Sequence, residues 1–158
     1  MGEIYGTDIF ESCKDKLKAL MTALISDMSG DDPKISAAYD YPNIVNPTFN
    51  AVSIHLVSVD TGDSTGQGQV PLGIDVLYEM TFAVRVHISH GNGNYNSDKV
   101  ARLLNSVNNK LHKNKNLGDG FRMKYTSDFN IDEEFEISDT RGGEFMCICH
   151  KFVRHTQE

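Results

Sequence analysis

Four stretches of this chain hold side chains with the capacity for chemistry. Cys147-Ile148-Cys149-His150, with His155 nearby, gathers metal donors. Structural zinc takes Cys-x₂₋₄-Cys with a second pair elsewhere, and no second pair follows; on a strand, the two cysteines face one way and His150 the other. With Phe145 and Val153 on the cysteine side, core packing is the expectation. His55, His87 and His90, with Asp60 or Asp75, have the groups of an acid–base cluster, but nothing in their separation brings them together. Glu133-Glu134-Phe135-Glu136 reads as an exposed strand edge rather than a pair of catalytic carboxylates. His90-Gly91-Asn92-Gly93-Asn94 lies between a strand and a helix, where a phosphate-cradling loop would lie. It lacks the third glycine, a following Lys-Ser/Thr and an acid about 20 residues on, so a plain connection is expected. No catalytic residue, metal site or cofactor is expected.

The elements around these stretches are legible from periodicity. Tyr78, Met80, Phe82, Val84, Val86 and Ile88 alternate with Glu79, Thr81, Arg85 and His87, the period of two that marks a half-buried strand. At ~3.3 Å per residue it spans roughly 35 Å, and ends that overhang their neighbours would invite pairing with another subunit. A first helix is predicted from a capping box at Asp8-Ile9-Phe10-Glu11 to about Met28, before Ser29-Gly30. Its stripe is Phe10, Cys13, Leu17, Leu20, Met21, Leu24 and Met28. A second is predicted from Ser97, with Val100, Leu103, Leu104, Val107 and Leu111 as its stripe and Gly118 and Gly120 ending it. Other strands are predicted at Ile35 to Tyr41, Phe49 to Val59, Phe121 to Thr126, Glu134 to Ser138 and Glu144 to Arg154. Tyr41-Pro42-Asn43 is read as a turn and Asp139-Thr140-Arg141-Gly142-Gly143 as a hairpin loop.

Asp60 to Gly73 is rich in Gly, Ser, Thr and Gln, and loops of this length are usually functional or disordered. It is expected to be mobile when free and to order against a partner through Asp60, Gly62, Asp63, Gly66, Gln67, Gly68 and Gln69. The 158 residues are read as a single α+β domain: a mixed, largely antiparallel sheet with two main helices packed on it. Three cysteines without framework spacing, and no apolar segment after Met1, fit a reducing cytoplasm. No apolar run suits a membrane span. Gly6 stands where a myristoylation signal wants Ser or Thr, and Asn46-Pro47-Thr48 carries the proline that forbids glycosylation.

A net charge of −7 argues against dedicated nucleic-acid binding, which draws on clustered Lys and Arg. The charge is unevenly placed. Lys99, Arg102, Lys110, Lys113, Lys115, Arg122 and Lys124 form a basic third quarter, and Asp128, Asp132, Glu133, Glu134, Glu136, Asp139 and Glu144 an acidic stretch after it. These are either solvated surface or complementary faces in an oligomer.

The order of elements carries a resemblance. A leading amphipathic helix, a strand after Tyr41-Pro42-Asn43, a long polar loop and a long strand ending in Val84-Arg85-Val86-His87 come first. The helix Asp98 to Lys113 and a Gly-Gly hairpin strand containing Asp139-Thr140-Arg141-Gly142-Gly143-Glu144-Phe145 follow. Together they resemble the tail-terminator (tail-completion) proteins of tailed bacteriophages over most of the chain. The chain is longer than the family's compact members, with the excess in Ile35 to Phe49 and Asp60 to Gly73.

The resemblance implies a ring-forming subunit, a homohexamer that caps the completed tail tube and joins it to the head-closure proteins of the neck. It would be assembled in the host cytoplasm and carried in the virion. DNA would pass through the lumen without specific binding, and an acidic lumen suits sliding. Subunit contacts in a cyclic ring are heterologous, so Lys110, Lys113 or Arg122 of one copy is expected near Asp132, Glu133 or Glu136 of the next. Another ring-forming tube or head-closure component is the alternative within the class. A small cytoplasmic enzyme or ligand-binding domain is the alternative outside it.

Overall fold

The computed structural model describes residues 7–31, 33–40, 50–63, 75–89, 97–132 and 140–154. Along the chain run α1 (Thr7–Asp27), β1 (Ala37–Tyr39), β2 (Ala51–Asp63), β3 (Asp75–Ser89), α2 (Ser97–Lys113), β4 (Asn116–Gly118), β5 (Phe121–Thr126), β6 (Asn130–Ile131) and β7 (Thr140–Arg154). The class is α+β, as the periodicities predict. One seven-stranded sheet has the order β1-β2-β3-β7-β5-β4, with β6 pairing β7 off that path. Only β1 and β2 run parallel; the other pairs are antiparallel. No described helix is long and apolar enough to cross a membrane.

Helix α1 buries Ile9, Cys13, Leu17, Met21 and Leu24, and Met28 just past its end is buried with them. Phe10 and Leu20, expected in the stripe, pack half-buried beside it, and Ile9 takes the fully buried place at its start. The helix already includes Asp8, which is therefore a first-turn residue and not the N-cap. Gly30, at φ 92°, supplies the left-handed conformation that stops it. Helix α2 buries its whole predicted stripe. It ends at Lys113, well before Gly118 and Gly120, with Asn114 Nδ2 donating to the Lys110 carbonyl at 2.8 Å. Those two glycines flank Asp119 in a left-handed turn (φ 89°, 53° and 83°) that reverses β4 into β5.

The alternating residues of β3 behave as their period predicts: Met80, Phe82, Val84, Val86 and Ile88 are buried on the face both helices cover. Its ends do not overhang. β7 pairs with β3 from Asp75↔Arg154 to Ser89↔Thr140, and β2 flanks the other side from Ala51↔His87 to Asp63↔Val76. β2 thus runs four residues past the predicted end at Val59, taking Asp60, Gly62 and Asp63 out of the expected loop and into the ladder.

β7 likewise begins at Thr140, so residues expected in a hairpin loop lie in a central strand. Glycine is needed there for close approach. A Cβ at Gly142 would lie 1.7 Å from the Val86 carbonyl oxygen, and one at Gly143 2.9 Å from Leu104 Cδ1. The predicted strand Glu134 to Ser138, the turn Tyr41-Pro42-Asn43 and the loop His90-Gly91-Asn92-Gly93-Asn94 lie outside the described residues.

Candidate assembly surface

Of the groups with chemical capacity, the three cysteines and His87 are buried, His55 and His150 are partly buried, and His90, Glu133, Glu134, Glu136 and His155 lie outside the described residues. Cys147 and Cys149 are fully buried, Sγ to Sγ 3.8 Å, and Cys13 of α1 is buried beside them. The Cys13 thiol is pushed far above its ordinary value by hydrogen bonding with Cys149 and by burial, which keeps it protonated and unreactive. Among the described residues no three His, Cys, Asp or Glu side chains gather as a metal site.

Ser53 Oγ and His87 Nε2 form a hydrogen bond of 2.7 Å, the beginnings of a nucleophile–base pair. Ser53 is 0% exposed and His87 is buried with it. Burial, followed by the charge of Arg85, lowers the His87 pKa to about 4 and leaves a neutral imidazole. His55 and His87 do not converge, and His90 lies outside the described residues. His55 stands opposite Ala83 and His87 opposite Ala51, four residues along the ladder and thus roughly 13 Å away. Asp60 is farther still, opposite Glu79. His55 Nδ1 is buried with no hydrogen-bond partner among the described residues.

What remains is a surface. One face of the sheet carries both helices; among the described residues the other carries none. Its rows follow from register. Ser53, Arg85 and Glu144 lie side by side, then His55, Ala83 and Met146, then Ser58, Thr81, Ile148 and Tyr125, then Asp60, Glu79, His150 and Arg122. Val57 (51% exposed, at a bulge in β2), Tyr125 (50%) and Phe152 (52%) are three of the four large apolar side chains exposed among the described residues, and all lie on this helix-free side. Water contact at three such side chains on one sheet face is costly unless something covers them.

The predicted interface charges are divided between the two layers. Lys110 donates to Asp27 Oδ2 at 2.7 Å, tying the C-termini of the helices together. Lys113 lies exposed beside it on a cleft of about 300 Å³ also lined by Asp27, Asp31, Asn109 and Asn114. Arg122 is exposed on the helix-free face. Asp132 is held within its own chain: its carboxylate accepts from the Arg85 guanidinium and from the Gly142 backbone N–H (3.0 Å). Lys110 and Asp132 are therefore already neutralised inside the subunit. Glu133 and Glu136, and Gly66, Gln67, Gly68 and Gln69 of the predicted docking loop, lie outside the described residues.

Two further contacts fix the β4–β5 turn. Lys16 Nζ donates to Asp119 Oδ2 at 2.7 Å and holds that carboxyl below the usual range, while Lys151 donates to the Asp119 carbonyl. Both ammonium groups sit over the Phe121 ring, at 5.7 and 4.6 Å from its centroid. On the open face Lys124 donates to Glu79 Oε2 at 2.9 Å, a bond that raises its pKa.

No family model and no curated protein matches the chain. Among solved structures, its fold resembles that of a chain from the virion of a native gene transfer agent particle. The identity is 14% and the TM-score 0.46, over 89% of this chain and 92% of that one. It also resembles a second solved chain at 15% identity and TM-score 0.44, over 92% of this chain and 98% of the other.

Proposed function

We propose that this chain is a structural ring subunit of a phage neck or tail, of the tail-terminator type. A homohexamer of it caps the tail tube, joins it to the head-closure proteins and lets DNA pass through its lumen. The observation that carries the reading is the helix-free sheet face, with Val57, Tyr125 and Phe152 exposed on a ladder up to 15 residues long. Such a face suits burial against other subunits. The order of helices and strands that resembles the tail-terminator family supports the same reading, and a net charge of −7 suits a conduit that must not grip DNA.

The test is mass and shape. Light scattering and negative-stain imaging of the purified protein are expected to give hexamer-sized rings. Added to a polymerising tube protein, those rings should stop growth at one end. Rings that stack into long tubes by themselves would make the chain a tube subunit instead. A monomer that binds nucleotide or a metal ion would overturn the reading in favour of a small ligand-binding domain.

A further inference from the structure

The two margins of the sheet carry opposite charge. Residues 35–84, which supply β1, β2 and most of β3, contain no Lys or Arg and five acids, Asp40, Asp60, Asp63, Asp75 and Glu79, of which Glu79 is already paired with Lys124 of β5. Residues 97–126, which supply α2, β4 and β5, contain seven Lys or Arg and only Asp98 and Asp119 as acids. The strand order places β1–β2 and β4–β5 at opposite ends of the sheet, with α2 over β7, β3 and β5 between them. The charges at the margins themselves are therefore Asp60 and Asp63 on β2 and Lys115, Arg122 and Lys124 around β4–β5. The asymmetry is invisible in the overall charge and follows only from the topology.

Each margin also offers something for a neighbour to hold. β1 covers only Ala51 to Ser53 of β2, so among the described residues the backbone from Ile54 to Asp63 has a strand on one side only. An edge of that length is a template for pairing. Val57 and Asp60 are exposed along it. At the far end, β4 is three residues long, and Lys115, Arg122 and Tyr125 are exposed around it. Among the described residues neither Lys115 nor Arg122 forms an ion pair. Both margins thus combine an exposed apolar side chain with charge of one sign.

We infer that the occupant of each margin is a second copy of this chain, the acidic β1–β2 margin of one subunit seating against the basic β4–β5 margin of the next. The inference rests on the ring reading and specifies the contact that closes it. A surface that is acidic at one end and basic at the other repels its own kind in a two-fold dimer and attracts in a head-to-tail arrangement, the kind of contact from which rings are made. Arg122 keeps the interface role expected from the sequence. Its counterpart becomes Asp60 and its strand, in place of Asp132, which Arg85 occupies.

Two reversed chains test this together. Asp60→Lys with Asp63→Lys makes both margins basic; Lys115→Glu with Arg122→Glu makes both acidic. Each alone should assemble about tenfold or more slowly at low salt, because like charges now meet. An equimolar mixture should recover rings, and native mass spectrometry should find the two chains alternating in equal number. That rescue also excludes misfolding as the cause of either defect. Variants that each assemble like the native chain, or a mixture with no recovery, would overturn the interface and leave the ring reading standing. A native chain that stays monomeric at every concentration would overturn both.

Discussion

Ser53 and His87 meet across β2 and β3 with Oγ and Nε2 2.7 Å apart, on the sheet face that no described helix covers, yet both are buried. The pair ties stability to pH. His87 is neutral in the fold, with its pKa lowered from 6.5 to about 4 by burial and then by Arg85. Its contribution is complete above pH 6.5 and is lost as pH falls toward 4, because the unfolded chain takes up the proton first. The loss amounts to about 3 kcal/mol at most. Thermal midpoints measured from pH 7 to 4 should fall in this window. His87→Gln, which keeps a polar partner for Ser53, should flatten much of the slope; an unchanged profile would remove His87 as its source.

Phe82 sits at the centre of the core, fully buried with Val84, Leu104 and Val107 where β3 meets α2. Phe82→Ala should cost about 3 to 5 kcal/mol, as loss of a large buried ring usually does. Denaturant unfolding measures this directly. A variant with an unchanged midpoint would show that the two elements do not share a core.

Gly142 and Gly62 should respond in opposite ways to the same substitution. Gly142→Ala drives a methyl against the Val86 carbonyl and should destabilise the protein by at least about 2 kcal/mol. At Gly62 nothing lies within 4 Å of the added Cβ, and the change should stay within about 0.5 kcal/mol. Equal melting temperatures for the two variants would refute the close approach of β7 to β3.

If residues 64–69 dock a partner, replacing them with a short Gly/Ser linker should spare the fold and ring assembly and abolish the joining of tails to heads. The measurement is the yield of complete particles from a complementation experiment. A normal yield would dismiss that segment as a docking site.

Much of this architecture is legible in the sequence, and the exceptions have physical reasons. The predicted stripe of α2 is the buried stripe, and Phe121 to Thr126 is β5 to the residue. Both are amphipathic segments whose burial follows their own period. The missed parts are held by partners distant in sequence. Thr61, Gly62 and Asp63 lack the composition of a strand, but an edge strand can be held by its backbone ladder alone, here to Val76, Leu77 and Tyr78. Gly142-Gly143 reads as a turn because glycine is most often a turn residue. Here it marks a strand pressed against a neighbouring backbone. The individual charge pairs were not legible: Lys110 finding Asp27, and Asp132 finding Arg85, depend on which helices and strands become neighbours. The signal for the margins, fifty residues without Lys or Arg, was present but had no meaning until the strand order gave it a place.

The central position of β7 sets the timetable of folding. β3 is joined on one side by β2, the strand just before it in sequence, but its other side waits for residues as remote as Arg154, the partner of Asp75. At the usual pace of synthesis, about 5 to 20 residues per second, Arg154 follows Asp75 by roughly 4 to 16 s. During that interval the apolar edge of β3 stands open, and a second nascent chain is as good a partner for it as the chain's own β7. Expression yield should therefore depend more on slowing initiation or lowering temperature than on the stability of the finished fold.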